Sequence, residues 1–244
     1  MILKYSQSGV RHIKNKEENQ DALYSASNQR YTVISLADGV SNCKKAKTGA
    51  EIACRAITNL FFKKASYFLH SSEEETARIS GAHVLFELKQ QATIDSSDVT
   101  EYSSTLTSIL LDRKKQKLLY SSLGDSLIIA IISGQCHILA MPSESTNGCI
   151  VTTTNNNLRE IQIGKIDSDR IDAVIILSDG AWKKLYDKNM MKTEVRSLLG
   201  KSDFRRLMSF LSEQNCLDDY SFIAIDLCSK KRRSTAKKKK KELI

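Results

Sequence analysis

Tyr31-Thr32-Val33-Ile34-Ser35-Leu36-Ala37-Asp38-Gly39 begins as a β-strand and ends in a turn. Its first residues are β-branched or aromatic, which suits a pleated, buried surface, and Asp-Gly is turn chemistry. Beyond it the period changes. From 46 to 69, Ala50, Ala53, Ile57, Leu60, Phe61, Ala65 and Phe68 recur at helical spacing. Ser71 or Ser72 ahead of Glu74 and Glu75 predicts the capped start of a second helix, running to about Gln91 with Ala77, Val84, Leu85 and Leu88 inward. Strands are predicted before this block at 1–8 and 20–26. After it they are predicted at 105–111, 117–122, 127–132, 135–140, 161–166, 173–177 and 222–227. Helices are predicted at 180–187, 190–199 and 202–214, and a long polar loop at 141–160, a candidate substrate-contacting flap. Strands and helices do not alternate as βαβα. Two packed sheets with helices on their outer faces therefore fit better than a doubly wound parallel sheet.

Asp38 is one of five acidic punctuation points. The others are Asn19-Gln20-Asp21, Gly124-Asp125-Ser126, Ser178-Asp179-Gly180 and Asp218-Asp219-Tyr220-Ser221. Four of the five follow or open an apolar run. Singly, each reads as an ordinary turn. Together they deliver carboxylates from several strand ends, the oxygen-rich arrangement that hard cations such as Mg²⁺ or Mn²⁺ require.

Composition narrows the alternatives. The 244 residues, 41% hydrophobic, suffice for one large core, and no Pro/Gly/Ser-rich linker divides them. One domain over 1–229 is expected, followed by a tail at 230–244. The formal net charge of +9 belongs mostly to that tail, whose nine Lys/Arg and single Glu leave the body almost neutral. Such a like-charge block is expected to be disordered and suited to nucleic acid or an anionic surface. No apolar window is long enough for a membrane span, and residues 1–6 read as a strand and lack the long apolar region of a signal peptide. Six cysteines without a C-x-x-C pair argue against a zinc ribbon and suit a reducing, cytoplasmic setting. Four histidines form no ligand set.

In order, Gly9…His12…Asn19-Gln20-Asp21, Ala37-Asp38-Gly39, Thr48-Gly49-Ala50, Ser104-Thr105, Gly124-Asp125-Ser126, Leu177-Ser178-Asp179-Gly180 and Asp218-Asp219-x-Ser221 resemble the metal-dependent protein phosphatases of the 2C type, most of all their bacterial branch. The resemblance spans about residues 5–228. It implies an α+β fold, a four-layer α-β-β-α sandwich of two antiparallel sheets flanked by helices, with a metal cluster at one edge. It also implies that Asp38 bridges two Mn²⁺ or Mg²⁺ ions, with the Gly39 carbonyl, Asp179 and Asp218 as further ligands and Asp21 acting through water. Asp125 with Asp179 resembles the site of a third, weaker cation. Lys16, or alternatively Arg11, stands in for the arginine that grips phosphate in many members. Val40 replaces a histidine found in animal members, Leu127 an arginine that often follows Gly-Asp-Ser, and Asp219 a frequent asparagine.

The expected chemistry needs no protein nucleophile. Two divalent cations about 4 Å apart neutralise a phosphomonoester and acidify a bridging water, which attacks phosphorus directly. A monomeric serine/threonine phosphatase is therefore expected, acting on phosphoproteins such as a cognate kinase or its substrates. Two other readings compete with it: a catalytically silent regulator that binds phosphoprotein, and a nucleic-acid-associated protein that works through its basic tail.

Overall fold

The computed structural model describes residues 1–143, 152–154 and 160–227. Strand β3 (Tyr31–Ala37) is buried from Thr32 onward on both of its faces. A strand with two buried faces has to lie inside a stack of layers. Its alternating side chains serve two different cores. Ile34 and Leu36 join the core between the sheets, while Val33 and Ala37 join an outer core beneath helices.

The sheet containing β3 has the order β2-β3-β4-β5-β8, with β2 (Ala22–Ser27), β4 (Leu106–Asp112), β5 (Lys117–Leu123) and β8 (Gln162–Asp167) all antiparallel to their neighbours. The second sheet has the order β1-β12-β9-β6-β7. It is built from β1 (Ile2–Gln7), β12 (Tyr220–Asp226), β9 (Ile171–Leu177), β6 (Leu127–Ile132) and β7 (Gln135–Ala140), again antiparallel throughout.

Ile109, Leu118, Ile128, Val174, Ile176 and Ile223 fill the space between the sheets. Each such side chain contributes about 1.5–3 kcal/mol by leaving water. Helices α2 (Ala46–Lys63), α3 (Ala65–His70) and α4 (Glu73–Ile94) cover the first sheet through Ala53, Ile57, Phe61, Phe68, Val84 and Leu88. On the second sheet lie α5 (Asp179–Leu185), α6 (Thr193–Gly200) and α7 (Phe204–Ser212), packed through Leu185, Val195, Leu199, Leu207 and Leu211. The four-layer α-β-β-α sandwich follows.

Local departures from the expected elements have local causes. The helix expected over 46–69 breaks at Lys64, whose φ of −115° and ψ of 27° leave the helical range. The break turns α3 so that Phe68 packs on Phe61 at 4.9 Å. Ser72 is the cap of α4, its hydroxyl accepting from Glu75 N–H at 3.1 Å. The helix expected over 180–187 stops at Leu185. Tyr186–Asp187 then pairs with Met190–Met191 as a small hairpin, turned by a left-handed Lys188. A short helix, α1 (Val10–Asn15), had no periodic signal because His12 is its only buried side chain. The basic tail and most of the 141–160 loop lie outside the described residues. No described helix is long and apolar enough to cross a membrane.

Candidate active site

Antiparallel order explains why five carboxylates distant in sequence lie along one edge of the sandwich. β2 starts, β3 ends, β6 starts, β9 ends and β12 starts at one edge of the sandwich, as the pairs Ala22↔Ala37, Leu127↔Leu177 and Phe222↔Leu177 show. Asp21 and Asp38 adjoin those strand ends, and Asp125, Asp179 and Asp218 lie two residues from them. The turn carrying Asp125 also passes from one sheet to the other, between β5 and β6.

The main chain around Asp38 is held rigidly. Asp38 N–H donates to Thr105 Oγ1 at 2.9 Å, and Thr105 N–H returns a bond to the Asp38 carbonyl at 2.8 Å. Gly39 bridges to Ser104, and its N–H reaches the Gln20 carbonyl at 3.3 Å. On the neighbouring strand, Asn19 Oδ1 accepts from Asp21 N–H at 2.8 Å and Lys47 Nζ donates to the Asp21 carbonyl at 3.0 Å. Backbone contacts thus fix where both side chains start.

The side chains are left short of donors. Both carboxylate oxygens of Asp21 and Oδ1 of Asp179 are buried and meet no hydrogen-bond donor. Burial pushes the Asp21 carboxyl up to about 7, and the charges of Asp219 and Asp179 push the same way. Ser221, close by, spends its hydroxyl on Ser6 Oγ at 2.8 Å. Burial also raises Asp38 well above the carboxylate range, helped by the charges of Asp21, Asp179 and Asp125. Carboxylates this crowded and dry must take up a proton or a cation. Among the described residues no group of three or more His, Cys, Asp or Glu side chains is arranged so as to hold a metal ion. The all-oxygen donor set and its partnerless buried oxygens nevertheless suit a hard divalent cation.

Asp218 and Asp219, adjacent in sequence, have separate fates. Asp219 is buried, with each oxygen taken by main-chain N–H groups and a ring. Gly9 N–H donates to Oδ1 at 2.8 Å, while Gln20 N–H at 2.6 Å and His12 Nδ1 at 2.8 Å donate to Oδ2. A carboxylate can only accept here, so Nδ1 of His12 carries the proton. Asp218 is half exposed and accepts from Arg11 Nη2 at 2.8 Å; the same nitrogen donates to Ser41 Oγ at 2.7 Å. Two glycines allow this close assembly. A Cβ at Gly9 would run into the Asp218 main chain, and one at Gly180 into the Asp219 carbonyl.

Asp219→Ala removes the acceptor for three buried donors, and is expected to cost about 3–5 kcal/mol. Urea unfolding measures this. A loss below about 1 kcal/mol would show that the latch does not hold the N-terminal segment in place.

Among the proposed phosphate-gripping residues, the structure separates Lys16 from Arg11. Lys16 is an exposed, left-handed C-cap of α1 and forms no side-chain hydrogen bond or ion pair among the described residues. Arg11 reaches the carboxylate edge. Two features were not foreseen from the sequence: the His12–Asp219 latch, Asp219 being read there as a competitor of Asp218 for the ligand role, and Lys183, whose Nζ donates to Asp179 Oδ2 at 2.7 Å. The signal for the first was a histidine retained at Gly9-x-x-His12 together with a second aspartate at 219. For the second it was the i,i+4 spacing from Asp179. Trp182 is half-buried, and its Nε1 donates to the Asp125 carbonyl at 2.8 Å, tying α5 to the Gly124-Asp125-Ser126 turn.

The sequence model of a family described as protein phosphatase 2C matches residues 8–219. The fold is similar to that of the serine/threonine phosphatase Stp1 from Staphylococcus aureus, with a TM-score of 0.66 at 15% identity, covering 93% of this chain and 94% of that one. It is similar to PppA from Pseudomonas aeruginosa, with a TM-score of 0.66 at 18% identity over 92% and 96%. The catalytic domain of the serine/threonine protein phosphatase PstP, crystallised with two manganese ions, gives a TM-score of 0.65 at 14% identity over 93% and 97%. At these identities the likeness is one of fold. No curated protein matches the chain in sequence.

Proposed function

Since the chain belongs to the protein phosphatase 2C family, we propose that it is a metal-dependent serine/threonine protein phosphatase that hydrolyses phosphomonoesters by direct attack of water. The observation that carries this reading is the set of buried carboxylate oxygens without donors, delivered from the ends of antiparallel strands. Asp38, Asp179, Asp218 and the Gly39 carbonyl would hold two cations, with Asp21 beside them. Mn²⁺ is one candidate, since the similar PstP domain carries manganese; Mg²⁺ is the other. When bound, two such cations neutralise the phosphoryl oxygens and lower the pKa of water.

The chain's own residues do the rest. Asp21 and Asp38, costly to ionise in the metal-free fold, present anionic oxygens once a cation compensates them. Thr105 and Ser104 fix the Asp38-Gly39 turn, and the Asp219 latch ties Gln20, next to Asp21, to the start of β12. Arg11 supplies a planar, permanently charged fork at this edge, suited to phosphate oxygens. Its pairing with Asp218 and Ser41 makes it our choice over Lys16 as the phosphate contact. Phosphoserine and phosphothreonine proteins are the proposed substrates.

Hydrolysis of p-nitrophenyl phosphate and of a phosphothreonine peptide tests the reading. Turnover is expected with Mn²⁺ or Mg²⁺ and is expected to vanish in EDTA. Folded protein that binds Mn²⁺ but turns over neither substrate would replace this proposal with the silent, phosphoprotein-binding one.

A further inference from the structure

Lys183 lies four residues after Asp179 on α5, on the same helix face. Its ammonium takes Asp179 Oδ2 at 2.7 Å, while Asp179 Oδ1 stays buried and without a partner. The two oxygens of this one carboxylate therefore have different uses. The ammonium is also within electrostatic reach of Asp125 and Asp218. Its Nζ lies 5.8 Å from the centroid of the Trp182 ring, and that ring is anchored to the Asp125 carbonyl. A fixed positive charge thus sits at the corner shared by Asp179, Asp125 and Asp218.

We propose that the Lys183 ammonium stands in for the third, weakest cation expected at Asp125 and Asp179, so that this chain binds two divalent cations and excludes a third. The inference rests on the two-cation reading above. A third dication at Asp125 and Asp179 would have to share the Asp179 carboxylate with the ammonium. The ammonium already holds Oδ2 at 2.7 Å, and two cations on one carboxylate repel each other. A tethered charge, unlike a weakly bound ion, is present at every metal concentration. The rate is therefore expected to saturate once the two tighter sites fill, with no further rise at millimolar metal.

The experiment is Mn²⁺ titration by calorimetry and by electron paramagnetic resonance of bound Mn²⁺, on the full chain and on Lys183→Ala and Lys183→Asp. Lys183 is half exposed, so both variants are expected to fold. Wild type should bind two ions. Lys183→Asp should gain a third at least about tenfold tighter than any third-site binding in wild type, Lys183→Ala should gain a weaker one, and adding Asp125→Ala to Lys183→Asp should remove it. Three ions in wild type would overturn the inference, as would two in both Lys183 variants, or a gained ion that survives Asp125→Ala. No ion in wild type would instead overturn the two-cation reading itself, and the inference with it.

Discussion

Asp38→Asn is expected to lower kcat with saturating Mn²⁺ on the order of 10³-fold or more, while making the metal-free protein more stable. The two effects share one cause. Asp38 is held at the strand end by Thr105, and burial together with the charges of Asp21, Asp179 and Asp125 raises its pKa well above the ordinary value. In the metal-free fold its negative charge is therefore a liability, which the neutral amide removes. On the proposed reading that charge would hold the cations, and the amide could not replace it. Phosphatase assays and urea unfolding in EDTA check the pair of signs together. A variant that is both inactive and less stable would indicate a damaged fold. One that stays active would remove Asp38 from the metal site.

Metal-free protein is expected to lose stability as pH rises from about 4 to about 7, and to recover it when Mn²⁺ is added. Asp38, raised well above the carboxylate range, acts in this direction, and so does Asp21. Its pKa is about 7 in the fold against an ordinary 3.8, so across that window the native state holds a proton that the unfolded chain has lost. Stability is then full below the unfolded pKa and falls as pH climbs toward the folded one, by at most about 1.4 kcal/mol per pH unit for one group. Groups of the opposite kind act elsewhere. Asp95, held down to about 2 by Lys45 and the Tyr102 hydroxyl, makes its difference below pH 4. Asp21→Asn should flatten the slope between pH 4 and 7 in EDTA, and the stabilisation by Mn²⁺ should shrink with it. Urea unfolding across this pH series would contradict the account if the variant kept the wild-type slope.

Both effects rest on residues that could be read before any coordinates. The strand at 31–37, the capped helix at Glu73–Ile94 and the short strands after 105 announce themselves through periodicity, because a strand repeats every two residues and a helix every 3.6. The turn carboxylates Asp21, Asp38, Asp125, Asp179 and Asp218 stand out because each interrupts or borders an apolar stretch. Elements without such a signal were missed for equally physical reasons. The helix Val10–Asn15 buries one side chain, too few to make a stripe. The break at Lys64 and the hairpin at Tyr186–Met191 answer to packing against other layers.

Local chemistry is written in neighbouring residues, so the strands, the helices and the positions of the acidic turns could be taken from the chain alone. The partners of those acids could not. Asp219 meets His12 across 207 positions of sequence, Arg11 meets Asp218 across the same separation, and the Trp182 ring meets the Asp125 carbonyl across 57. Which of two adjacent aspartates is tied up as a structural latch, and which faces the arginine, depends on closing those long loops. That closure is driven by apolar burial between the layers, which carries no information about charge. The carboxylates were therefore visible in the chain, while the division of labour among them arose only when the sheets closed.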